Sequence, residues 1–251
     1  VGIRHRSGPF FYIANGRRSR ASFIERKAIE TNRQALRGNE EVTMNQDYNA
    51  YASCPAGKPG AKEDISGASF MLAPMTDRYE EVIMGAVRKM DTSRVWINTS
   101  KMGTVCRGRR DDVFDCVKAC FAYAYQPDVH MTLTLTLSKG CPGDCDVDYV
   151  LAEEGTPANE EGTKDLHFPV DVKFALYSLG DGDYMPEISQ IIALADEMHV
   201  FRKMMHYATV LQGDVQDIFA YFNKAFRHCE DTMSHFVMEI TMSVNSPSAD
   251  D

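Results

Sequence analysis

Residues His130–Asp144 read HMTLTLTLSKGCPGD, and their strict alternation decides the fold. Met131, Leu133, Leu135 and Leu137 fall on one side of an extended chain, and Thr132, Thr134, Thr136 and Ser138 fall on the other. Strand side chains alternate between faces. Such a run is therefore a strand with its leucines on a core and its hydroxyls on water, a second sheet or a ligand. The pattern returns 105 residues later in His235–Pro247, HFVMEITMSVNSP. There Phe236, Met238, Ile240 and Met242 form the apolar side, opposite Val237, Glu239, Thr241 and Ser243.

Working outward, the same unit appears twice. Phe70 and Leu72 mark a short strand that stops at Pro74, and Asp77 with Glu80 has the spacing of a helix-opening capping box. Tyr79, Val82, Ile83, Ala86, Val87 and Met90 recur at helical spacing. Two short strands follow, around Val95–Asn98 and Met102–Arg107, and then a second amphipathic helix on Val113, Phe114, Val117, Cys120, Phe121 and Ala124. With one residue inserted near Gly182, Tyr79–Asp144 superposes on Tyr184–Ala249, and Asp91/Asp196, Gly108/Gly213, Phe121/Phe226, His130/His235 and Ser138/Ser243 are among the identical pairs. The order β-α-β-β-α-β is that of the ferredoxin-like unit. The expected fold is α+β, with tandem ferredoxin-like repeats whose four-stranded antiparallel sheets pack through their open faces, between the repeats or between two chains.

Four segments follow. Residues 1–66 read as an unstructured leader, 67–145 as the first repeat, 146–170 as an acidic linker with a short ordered piece at Tyr149–Leu151, and 171–251 as the second repeat. Residues 1–43 carry a net +5, mostly arginine, and Glu40-Glu41-Val42-Thr43 stands directly before Met44; purine-rich codons there can spell a ribosome-binding sequence, so Met44 is the expected native start.

Residues 44–251 carry a net −14, which with the +5 before them gives the total of −9, and this acidic body argues against binding to a nucleic-acid backbone. Seven cysteines in a chain of 251 residues with no secretory leader fit reduced thiols in the cytoplasm, and no apolar run has the length to insert in a membrane.

Candidate chemical motifs have plainer readings. Cys141-Pro142-Gly143-Asp144-Cys145 has a C-x3-C spacing without a second ligand pair, and the second repeat has Ser246 at the position of Cys141, so no metal is expected. Cys116 and Cys120, one helical turn apart, read as small core residues. His130 and His235 read as hydrogen-bonded structural histidines, since no activating partner is visible. Asp77 and Asp181 read as helix caps, although a carboxylate at a strand end also suits a ligand amine. No nucleophile motif or phosphate-cradling glycine loop is present, so no catalytic residue is expected.

Pro74-Met-Thr-Asp-Arg78, Asp91-Thr-Ser-Arg-Val-Trp96, Cys106-Arg-Gly108, Val113-Phe-Asp115 and Gly140-Cys-Pro-Gly-Asp144, with Phe174-Ala-Leu-Tyr177, Gly213-Asp214, Asp217-Ile-Phe219 and Asn245-Ser-Pro-Ser248, resemble the YkoF-type thiamin/hydroxymethylpyrimidine-binding proteins. The resemblance runs from about Ala68 to Ser248 and omits the acidic linker. It implies a homodimer of tandem ferredoxin-like repeats, a pocket for the aminopyrimidine of thiamin in each repeat, and binding without chemistry.

An aminopyrimidine is a flat apolar plate with an amine donor beside ring-nitrogen acceptors, so its site needs paired polar groups and walls. In the first repeat the expected set is Thr104, Thr134 and Ser138, with Met75 and Trp96 as walls and Asp77 at the strand end. In the second it is Thr209, Glu239 and Ser243, with Leu179 and Phe201. The exchange of Thr134 for Glu239 predicts two sites of different affinity. Thiamin or hydroxymethylpyrimidine is the expected small-molecule ligand, with no separate cofactor, and a role in salvage or supply points to a functional link with a thiamin transporter. The competing expectations are a small dimeric α+β barrel enzyme, of monooxygenase or isomerase type, using His130 or His235, and a ligand-sensing regulatory domain.

Overall fold

The leucines of the opening strand bury as their alternation demands. Leu133, Leu135 and Leu137 are at most 2% exposed, while Thr134 and Thr136 on the opposite face are exposed. The computed structural model describes residues 65–139, 155–179 and 183–248, so the expectations for residues 1–64, Tyr149–Leu151, Asp181 and the Cys141–Cys145 turn lie outside the described residues.

The first repeat runs β1 (Ser66–Pro74), α1 (Tyr79–Val87), β2 (Val95–Ser100), β3 (Gly103–Gly108), α2 (Arg110–Ala124) and β4 (Met131–Lys139). A short helix α3 (Glu160–Thr163) follows. The second repeat runs β5 (Pro169–Ser178), α4 (Met185–Glu197), β6 (Phe201–Met205), β7 (Ala208–Asp214), α5 (Val215–Thr232) and β8 (Phe236–Val244). Each repeat thus has the order β-α-β-β-α-β.

The eight strands form one antiparallel sheet in the order β2-β3-β1-β4-β8-β5-β7-β6. This corrects the expected packing of two four-stranded sheets: within the chain the repeats join edge to edge, through β4 and β8, and do not bury their open faces on each other. The ladder pairs Met131 with Val244 at one end and Ser138 with Val237 at the other. The reason is physical. Each strand would otherwise end its own sheet with a row of unpaired N–H and C=O groups, and the other strand satisfies them without disturbing either side-chain pattern.

The helices lie on the leucine side, where the core runs through both repeats. Phe114 meets Phe226 edge-on at 5.7 Å, and Phe226 meets Phe236 at 4.8 Å. Cys116 and Cys120 are buried there as small core groups, and burial pushes the Cys120 thiol up to about 12. Asp214 caps α5 by accepting from the Gln216 amide at 2.9 Å. Asp77 does not cap α1: Arg78 holds that position, and Thr76 Oγ1 accepts from the Arg78 amide at 3.3 Å.

The segment expected as a linker is packed where it is described. Asn159 and Thr163 are buried, and the Asn159 side chain clasps the backbone of Asp91, accepting from its N–H at 2.7 Å and donating to its C=O at 2.8 Å. Phe168 stacks on Tyr125, with ring centroids 3.9 Å apart and planes within 2°.

Candidate functional site

The open face of the sheet is read directly from the strand register, because residues paired across a ladder project to the same side. Thr134 stands between Met71 and Thr241, and Thr241 is followed by Lys173. The next row is Ala73, Thr132, Ser243, Asp171 and Gln212. On the other side come Ser69, Thr136, Glu239 and Ala175, then Gly67, Ser138, Val237 and Tyr177. The centre of the sheet therefore carries a contiguous band of hydroxyls, each both donor and acceptor, with exposed apolar groups toward its two ends. Met71, Met75, Tyr177 and Leu179 are 50%, 58%, 48% and 46% exposed.

The two ends differ in composition, and each draws on both repeats. At the first, the Met75 amide donates to the His130 carbonyl at 2.8 Å, and the His130 ring lies 3.2 Å from Ser243 Oγ. Ser243 thus belongs with Met75, Thr132 and Asp171, while Gln212 Nε2 holds Asp171 by donating to its carboxylate at 2.8 Å. At the second end, the Leu179 amide donates to the His235 carbonyl at 2.9 Å, and the Tyr177 hydroxyl donates to Glu239 at 3.3 Å. Ser138 belongs to this end, and its hydroxyl donates to the Phe236 carbonyl at 3.2 Å.

The sequence-predicted sets are therefore regrouped. Met75 and Thr134 stand toward the first end with Ser243, a member of the other set; Leu179 and Glu239 stand toward the second with Ser138. Trp96 is paired with Arg107 and lies on the open face over β2 and β3, at the periphery. Asp77 is exposed in the turn between β1 and α1.

Three residues fall elsewhere. Thr104 pairs with Phe70, whose ring is in the core, and its hydroxyl bonds Thr99 at 3.0 Å on the helix side. Thr209 pairs with Phe174, is 7% exposed, and donates to Met204 Sδ at 3.8 Å. Phe201 pairs with Leu211 next to a bulge and packs against the core. Thr132, Asp171, Tyr177 and His130 complete the two ends and were absent from the predicted sets. The alternation of β4 contains the signal for Thr132; the neighbours of Ser243 emerge only from the pairing of β4 with β8.

Among the described residues, no cluster of three or more His, Cys, Asp and Glu side chains is placed to hold a metal ion. No described helix is long and apolar enough to cross a membrane.

The profile of the family described as "YKOF-related Family" matches residues 65–144 and 169–249, one copy on each repeat. The chain belongs to this family. A curated YkoF-related protein of Bacillus subtilis (strain 168), named "Putative HMP/thiamine-binding protein YkoF", is 38% identical over 184 residues, which is 73% of this chain and 92% of the relative. The two family copies fall on the two βαββαβ units, so the YkoF-related pattern and the pseudo-symmetry of the sheet describe the same duplication.

Proposed function

We propose that the protein binds thiamin, or its hydroxymethylpyrimidine part, without transforming it, in a cytoplasmic salvage or supply role linked to a thiamin transporter. The observation that carries this reading is the hydroxyl band of the open face, which ends beside a carboxylate at each side, Asp171 at one and Glu239 at the other. Hydroxyls match the ring nitrogens, a carboxylate accepts the exocyclic amine, and Met75 or Leu179 supplies an apolar wall. The name of the Bacillus subtilis relative supports the same ligand class. A net charge of −9 also attracts the thiazolium cation weakly through solvent.

In this reading each repeat acts as a ferredoxin-like unit, and a second copy of the chain covers the open face. Exposed Met71, Met75, Tyr177 and Leu179 supply the apolar contact, and the pockets lie between the two sheets. The two sites differ in affinity because Glu239 and Thr134 are equivalent positions of unlike charge.

Thermal unfolding with thiamin and with hydroxymethylpyrimidine tests the proposal. A ligand at 100 times its dissociation constant adds about 2.7 kcal/mol of stability, so a clear rise in Tm is expected with at least one of them. No rise with either refutes the ligand class.

A second reading rests on the 3.2 Å contact between His130 and Ser243, which is the spacing of a base and the hydroxyl it activates. Incubating the ligand with protein and analysing it by chromatography separates the two readings: unchanged ligand supports binding, and a new product supports an enzyme.

A further inference from the structure

One row of the open face carries charge in the second repeat and none in the first. In the second repeat the row runs Thr241, Lys173, Val210 and Lys203, across β8, β5, β7 and β6. The equivalent row of the first repeat runs Thr136, Ser69, Val105 and Asn98. The threonine and the valine are common to both rows. The other two positions exchange a serine and an asparagine for lysines. Both lysines are exposed, and among the described residues neither makes a hydrogen bond or an ion pair.

A solvated lysine on a strand is ordinary, but Lys173 has two acids within reach and engages neither. Asp171 lies two residues along β5 on the same face, about 6.6 Å away at the rise of a strand. Glu239 is its diagonal neighbour across the ladder with β8, at about 7–8 Å. Neutral donors hold both carboxylates instead. Gln212 Nε2 donates to Asp171 at 2.8 Å, and the Tyr177 hydroxyl donates to Glu239 at 3.3 Å. The Lys173 ammonium therefore stands between two oriented acids with its charge available to a group from outside. Those acids repel an anion from the rows on either side, which confines one to the lysine row.

The spacing suits a particular anion. In hydroxymethylpyrimidine the amine and the hydroxymethyl group occupy adjacent ring carbons, so a phosphate on the hydroxymethyl oxygen lies beside the amine. An amine on Asp171 or Glu239 then brings that phosphate over Lys173. A phosphate monoester carries about −1.5 to −2 charges at neutral pH and three strong acceptor oxygens, which an ammonium and a hydroxyl satisfy together. Thr241 supplies the hydroxyl. Lys203, two strands from Lys173 and so about 10 Å away, stands at the longer reach of a phosphate on the hydroxyethyl arm of thiamin.

We propose that the row of Thr241, Lys173 and Lys203 is a phosphate subsite, and that the ligand of this chain is a phosphate monoester of the aminopyrimidine compound. The subsite rests on the thiamin-class ligand proposed for the open face and adds the ester to it.

Titration calorimetry of the full chain at low salt tests this with hydroxymethylpyrimidine, its phosphate, thiamin and thiamin monophosphate. At least one ester should bind about tenfold or more tightly than its own parent, the gain of one charge-assisted hydrogen bond. Added sodium chloride should reduce that ratio. Lys173→Met should bring it to about one if the pyrimidine ester is the ligand, and Lys203→Met should do so if it is thiamin monophosphate; the variant that responds identifies the ester. Parents that bind as tightly as both esters, or a ratio that survives both substitutions, overturn the subsite while the thiamin-class ligand stands. Absence of binding by all four compounds overturns both.

Discussion

Leu135 and Ile240 stand directly opposite one another across the β4–β8 ladder, and they are the same position of the two repeats. Because the strands are antiparallel, a pseudo-two-fold axis passes through this pair at right angles to the sheet. The axis relates every other β4–β8 pair to a second one: Thr132 faces Ser243 just as Ser138 faces Val237. It also forces the exchange of serines between the two ends of the hydroxyl band. A residue four places along β4 from Thr134 moves away from its own repeat's wall and toward that of the other.

The first consequence concerns stability. Leu135 is 2% exposed and Ile240 1%, both inside one core shared by the repeats. Leu135→Ala should cost about 2–5 kcal/mol from lost burial and the cavity left behind. Since that cost falls on the junction, urea unfolding followed by fluorescence and by circular dichroism should remain one coincident transition with a lower midpoint. Two separated transitions, with only one shifted, would show that the repeats unfold independently.

The second consequence concerns the sites. If the ends are composite, Thr134→Val and Ser243→Ala weaken the same thiamin site, each by about 0.5–1.5 kcal/mol for a lost hydrogen bond. Ser138→Ala instead weakens the site that also loses affinity in Glu239→Gln. Titration calorimetry of the double variants distinguishes the groupings. Thr134→Val with Ser243→Ala should be non-additive, and Thr134→Val with Ser138→Ala additive. The reverse pattern returns the serines to their own repeats.

How much of this was legible in sequence depends on what period two can encode. It assigns faces, so the split between Leu133 and Thr134 was readable from the chain alone. It does not encode which strand edge meets which, and β4 against β8 is as compatible with the alternation as two sheets stacked face to face. Thr104 and Thr209 were misplaced for a related reason. Their side depends on the register of the short strands β3 and β7 against β1 and β5, where Phe70 and Phe174 carry them to the helix side. Phe201 departs from Trp96 because of a bulge with no strong local signature. Asn159 sits in an acidic, glycine-containing stretch that resembles a linker, and its role depends on Asp91 and Asp115, which lie far away in the chain.

Asp115 predicts a pH dependence. Burial raises its carboxyl above the ordinary value of 3.8, against the opposing pull of the two Asn159 hydrogen bonds, and Oδ1 has no hydrogen-bond partner among the described residues. The folded state therefore binds this proton more tightly than the unfolded state. Its contribution is most favourable below pH 3.8 and is lost as pH rises through the raised folded value. Asp115→Asn keeps an acceptor for Asn159 and removes the titration. Its stability relative to wild type should rise across that window, as read from urea midpoints at a series of pH values. A constant difference would mean that Asp115 has the same proton affinity folded and unfolded.

The seam between the helices of the two repeats is built asymmetrically about the axis, and this separates two kinds of stabilisation. At one end Arg110 Nη1 donates to Glu230 at 2.7 Å, and the Ser66 hydroxyl donates to the same carboxylate at 3.2 Å. At the other, Tyr125, the counterpart of Glu230, stacks on Phe168. The carboxylate end is partly shielded, with the Arg110 and Glu230 side chains each 15% exposed, so Glu230→Gln should cost about 1–3 kcal/mol by replacing the charged acceptor of Arg110 Nη1 with a neutral one, while Arg110 Nε keeps Asp111 at 3.2 Å. Phe168→Ala should cost about 3–5 kcal/mol through lost aromatic burial. Salt separates them further, because added sodium chloride screens a partly exposed ion pair and leaves ring packing unaffected. The difference between wild type and Glu230→Gln should therefore shrink between low and high salt, while the Phe168→Ala difference stays constant. Equal salt dependence in both variants would show that the Arg110–Glu230 contact contributes by packing rather than by charge.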